Sequence, residues 1–173
     1  MERPSVVHEP QAMKDPLATD SRQDDTVATA DTSMNRADAV ERLRDEWLAR
    51  LSELLENVRG WAEALDWSTR RIETRMEDSE IGDYKAPALI MQKETVRAIL
   101  HPISREAPGV AGVVDFYLMP AYDDIARLSF YDNRWHLYHQ LPGSPDVEPH
   151  TQDQPLSRET FQAVLEALMR DAA

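Results

Sequence analysis

Asp115, Ser129 and His136 are an acid, a nucleophile and a base, the residue types of a hydrolytic triad. Their usefulness depends on which strands carry them. Residues 125–140 alternate apolar and polar around Asp132-Asn133, the signature of a two-residue β-hairpin. That turn pairs Tyr131 with Arg134, Phe130 with Trp135, Leu128 with Leu137 and Ala126 with His139. The last three pairs form the core face, and Ser129–His136 and Arg127–Tyr138 form the other. A second hairpin closed by residues 120–124 sets Phe116 near Leu128 and Val114 near Phe130. Asp115 then falls beside Ser129, and Tyr117 beside Arg127. Serine stands in the middle of its row, so acid and base are two strand spacings apart, about 9–10 Å. A serine on a flat strand also lacks the sharp turn that builds an oxyanion hole. The expectation is a polar ladder, with no catalytic residue.

The neighbouring row, Tyr117, Arg127 and Tyr138, sets a guanidinium between two phenol rings. Such a contact is worth about 0.5–1 kcal/mol when exposed. Tyr and Arg dominate protein interfaces, so this face is the expected binding surface, with Asp115, His136 and Arg97 beside it. Arg71, Arg75 and Arg97 are expected to make it locally basic. His136 and His139 are three apart on a strand and point to opposite faces, so they cannot share an ion. The acidic pair Asp123-Asp124 after Tyr122 matches no calcium loop. His101 precedes Pro102 and reads as turn punctuation. Five glycines leave little room for a phosphate-binding loop. No metal and no cofactor are expected.

The elements that hold these rows must come from 173 residues, enough for one domain. Residues 1–33 carry no aromatic residue and no period, and read as a disordered acidic tail. Met34 is an alternative start to Met1. From residue 34 to the end a single domain is expected. Val40, Leu43, Trp47, Leu51, Leu54, Val58, Trp61 and Leu65 form one helical stripe, widened by Leu48, Leu55 and Ala62. Gly60 is a candidate break. Strands are expected at residues 68–77, 86–92, 95–101 and 110–119, ahead of the hairpin. The second and third turn at Lys93-Glu94, and Pro87 belongs at a strand start or an edge. Ser157 caps a final helix that buries Phe161, Val164, Leu165 and Leu168, with a Leu156–Phe161 staple. Short connections favour an antiparallel meander of five or six strands with both helices on one face, a two-layer α+β domain.

The balance of 19 basic and 32 acidic residues disfavours charge-driven binding to nucleic acid or anionic membranes. The chain has no cysteine, which excludes thiol chemistry and fits a cytoplasmic location. No apolar run approaches the roughly 20 residues of a membrane span. The layout, size and acidity resemble bacterial secretion chaperones and small immunity proteins in architecture and charge, with no shared motif. A helix of residues 36–65 is about 45 Å long. Six strands side by side cover only about 29 Å. Val40, Leu43 and Trp47 are therefore expected to overhang the sheet and meet a second copy or a partner helix.

The leading expectation is a non-enzymatic protein-binding or regulatory module using the open sheet face, the long helix, or both. The alternative is a small-ligand domain or enzyme with a pocket near Asp115, Tyr122, Asp123, His136 and Tyr138.

Overall fold

A computed structural model describes residues 24–139 and 153–172. Most of the expected tail and most of the loop before the last helix lie outside these residues. The first helix, α1, spans Asp24–Ala64. It starts earlier than the apolar stripe because extending an existing helix needs no new nucleus. Residues 30–39 are exposed. The compact unit is Ala39–Ala173, and there the stripe becomes core: Trp47, Leu51, Leu54, Leu55, Val58 and Ala62 are buried. Gly60 does not break the helix. The end comes at Asp66, in the left-handed region at φ 66, with the Trp67 amide donating to the Ala62 carbonyl at 3.0 Å.

Seven strands follow as an antiparallel meander in chain order. They are β1 Ser68–Asp78, β2 Gly82–Lys93, β3 Val96–Ser104, β4 Val113–Leu118, β5 Ile125–Tyr131, β6 Arg134–His139 and β7 Gln154–Pro155. The sheet is open, and helix α2, Arg158–Asp171, completes the α+β arrangement. The β2–β3 turn is Glu94-Thr95, one residue later than expected, because Lys93 pairs with Val96. Pro87 sits inside β2, opposite Glu73. Pairing with β3 begins only at Leu89, so its missing N–H interrupts no ladder on that side.

The β5–β6 register is the expected one, from Tyr131–Arg134 to Ala126–His139. Both turn residues have positive φ, 51 at Asp132 and 59 at Asn133, as a primed turn requires. The β4–β5 register differs by two. Asp115 pairs with Arg127, Val113 with Ser129, and Tyr117 with Ile125. Leu118 still pairs with Ala98 of β3 but has already left β5, so the loop is longer than residues 120–124. A slip of two keeps every side chain on its face and changes its row.

Both helices cover one face. Phe161 of α2 lies 5.4 Å from Phe116 and 5.9 Å from Trp61, between centroids. Ser157 accepts from the Thr160 amide, and Thr160 closes the capping box onto the Ser157 backbone. Trp47 is 1 % exposed and does not overhang. Its indole N–H donates to the Tyr84 hydroxyl at 2.8 Å, and its ring lies against Gly112. A Cβ on Gly112 would sit 2.6 Å from Trp47 Cζ3, and φ there is +155. The sheet extends further under α1 than expected. β1 has 11 residues and β2 has 12, about 36–41 Å of strand; β2 begins at Gly82, four residues before the expected start, and so includes Tyr84. Of the surface expected to meet a partner, half-buried Val40 and Leu43 remain. No helix among the described residues is long and apolar enough to cross a membrane.

Candidate functional site

The corrected register builds a different row on the open face. His101 pairs with Asp115 across β3–β4, Asp115 with Arg127, and Arg127 with Tyr138. Asp115 is fully inaccessible. A buried carboxylate needs donors, and Asp115 has several. Arg127 Nε donates to Oδ1 at 2.8 Å and a terminal nitrogen donates to Oδ2 at 3.1 Å. The Tyr122 hydroxyl donates to the same Oδ2. The bond to Asp115, with burial opposing, raises the Arg127 pKa. The bond to Asp115, aided by burial, likewise raises that of Tyr122.

Tyr122 reaches back from the β4–β5 loop and packs edge-on against Tyr117, with centroids 4.8 Å apart. It is 54 % exposed. Tyr122 and Arg127 therefore cover one buried carboxylate, with Tyr117 packed on Tyr122 and Tyr138 across Arg127 on β6. The expected stacking of Arg127 between two tyrosines gives way to a fork on Asp115. The cation–π contact instead forms on the helix face, with Arg50 4.1 Å above Phe130.

The Asp–Ser–His row does not exist. Ser129 pairs with His136, but its other neighbour is Val113. His136 lies on the expected strand face but is buried, at 8 %. Its ring stacks on Tyr131 at 3.6 Å, and Pro155 of β7 pairs beside it. Buried Nδ1 of His136 has no hydrogen-bond partner among the described residues. The Tyr131 hydroxyl donates to Asp153 at 2.8 Å. Burial, then Asp153, pushes the Tyr131 pKa up to about 12.

The expected basic field is weaker than its arginine count. Arg71 turns to the helix side, donating to Ser52 at 2.9 Å. Thr69 likewise donates to Glu63 at 2.7 Å, while further along β1 it is Met76 that enters the core. The side facing α1 changes from odd to even positions as the long strand twists. Arg75 pairs with Asp83 at 2.8 Å. Arg97 donates to Gln92 at 3.4 Å. It lies two rows from Asp115, beyond the Ile99–Tyr117 row, and outside the cluster.

Two clefts of about 650 and 660 Å³ lie on the helix side, against α1 and the β5–β6 hairpin. Neither is lined by Asp115, Tyr122, Asp123, His136 or Tyr138. Asp123 accepts from the Asp124 amide at 2.9 Å and shapes the loop. One grouping has no sequence signal at all. His139 Nε2 lies 2.8 Å from Asp124 Oδ1, and the last helical residue, Asp171, joins them within 4.8 Å. His139 and Asp171 are 32 positions apart and meet only because α2 packs over the end of β6. Comparison of the chain with family models, curated proteins and solved structures returns no match.

Proposed function

We propose that this chain is a non-enzymatic protein-binding module whose contact surface is the open sheet face around Tyr122, Arg127 and Tyr138. The carrying observation is the state of Asp115. Both of its oxygens accept hydrogen bonds from Arg127, and Oδ2 accepts another from Tyr122. A carboxylate so engaged is a poor general base and a good anchor. It holds an arginine and a tyrosine in fixed positions on an exposed face. Preorganised aromatic and guanidinium groups lower the ordering cost of association. Among the described residues the two helices lie on the other face. The expected cytoplasmic location and the absence of nucleic-acid binding belong to this reading. The pairing of Arg127 with Asp115 and of Arg75 with Asp83 favours the second of these.

The test is affinity capture from the native host with three baits: wild type, Tyr122→Ala/Tyr138→Ala, and Glu53→Ala on the exposed side of α1. The expected result is a protein captured by wild type and by Glu53→Ala and lost with the double variant. Capture unchanged by the double variant would sink the proposal. Turnover of a small substrate, abolished by Asp115→Asn, would favour the pocket reading instead.

A further inference from the structure

We infer that Asp124, His139 and Asp171 form a binding site for one divalent transition-metal ion, with Zn²⁺ the best chemical fit. The sequence pattern gives no metal site, since His136 and His139 point to opposite faces of β6. The other two ligands beside His139, Asp124 and Asp171, are brought to it by the fold. The His139 side chain is only 4 % exposed, so its ring is held in place rather than free to wander. Its Nε2 faces Asp124 Oδ1 at 2.8 Å. The Asp124 side chain is 29 % exposed, but its other oxygen, Oδ2, is buried and has no hydrogen-bond partner among the described residues. A buried carboxylate oxygen without a donor is costly, and a cation would satisfy it.

Asp171 supplies the third ligand from the last turn of α2. That is the end where unpaired carbonyls concentrate negative potential, so a carboxylate there is unfavourable unless a cation is near. The three ligand atoms lie within 4.8 Å of one another. Ligands on one zinc ion at about 2.0–2.2 Å sit about 3.3–3.6 Å apart. His139 Nε2 and Asp124 Oδ1, now at hydrogen-bond distance, 2.8 Å, would part by about 0.5–0.8 Å as the ion replaces the proton between them, and exposed Asp171 has freedom to close the remaining gap. An imidazole with two carboxylates suits zinc and its first-row neighbours, and suits magnesium or calcium poorly. Water would complete the coordination. The ion would tie together the β4–β5 loop, the end of β6 and the end of α2. Asp124 is two residues from Tyr122, so occupancy would also stiffen the loop that presents Tyr122.

The test is titration calorimetry of the full chain, stripped with chelator, against ZnCl₂. Expected is one equivalent bound at ~1 μM or tighter, in line with a closed three-ligand site. The thermal midpoint should rise by about 5–10 °C at roughly a hundred-fold excess over Kd. His139→Gln should abolish the site. Asp171→Asn should weaken it by about ten-fold or more and should not lower the metal-free midpoint, because Asp171 is exposed and its charge is unfavourable at the end of α2. Asp171→Asn thus decides the matter even if His139→Gln folds poorly. Millimolar MgCl₂ should not compete. Failure to bind one equivalent, or equal binding by wild type and Asp171→Asn, overturns the inference. Neither outcome touches partner capture by the open face, which is measured separately.

Discussion

Phe116 and Asp115 are consecutive residues of β4, both wholly inaccessible, on opposite faces of one sheet. Phe116 is covered by a helix, through Phe161. Asp115 is covered by its own neighbours, Arg127 and Tyr122, which fold down onto it. The helix face removes apolar surface from water with no demand on partner geometry. The open face buries a charge and must meet it with donors at the right distances. The first arrangement tolerates repacking; the second is specific and leaves aromatic groups exposed. The proposed contact surface and the core thus sit one residue apart.

The largest effect should come from the helix side. Phe116→Ala leaves a cavity against Phe161 and should cost about 3–5 kcal/mol in denaturant unfolding. A cost near 1 kcal/mol would mean that α2 collapses onto the gap and that the helix face is not the rigid partner. Asp115→Asn keeps the shape and removes the charge that Arg127 meets. Arg127 is half exposed and can turn to water, so the expected cost is about 1–3 kcal/mol. A loss matching that of Phe116→Ala would erase the contrast between the faces.

Alkali probes the open face through Tyr131. Its folded pKa, about 12, lies above the unfolded value near 10. The neutral phenol is therefore the form the fold favours. Its contribution is complete below about pH 10 and is lost as pH rises toward 12. Tyr131→Phe should flatten that fall in stability, and an unchanged profile would remove the Asp153 contact from the account. The smallest effect belongs to Arg75. Its ion pair with Asp83 is well exposed on both sides, so Arg75→Ala should change stability by at most about 0.5 kcal/mol. A larger loss would show that the open face gains cohesion beyond the Asp115 cluster.

Turn chemistry explains what could be read in advance. Asp132 and Asn133 tolerate positive φ, and a two-residue turn leaves no freedom, so every β5–β6 pair followed from it. The β4–β5 loop contains no such constraint. Leu118 stays with β3 after leaving β5, and the rows moved by two. The strand members of the Tyr–Arg face, Asp115 among them, were therefore foreseeable; the pairing of Asp115 with Arg127 and the return of Tyr122 onto it were not. Periodicity likewise marked α1 and the capped α2, including Ser157. It says nothing of strand length, and the long β1 and β2 are what brought Trp47 indoors. The meeting of Asp124, His139 and Asp171 depends on how α2 packs, which no local pattern records.

The contact between Trp47 and Gly112 ties two distant positions into one evolutionary unit. With only 2.6 Å available for a methyl at position 112, Gly112→Ala alone forces the indole out of place, and Trp47→Phe alone leaves a void. Together the two changes relieve the clash between them, so their combined cost should fall below the sum, although the backbone strain of a side chain at φ +155 remains. The smallest residue of the β4 approach and the largest of α1 would be expected to change as a pair or not at all.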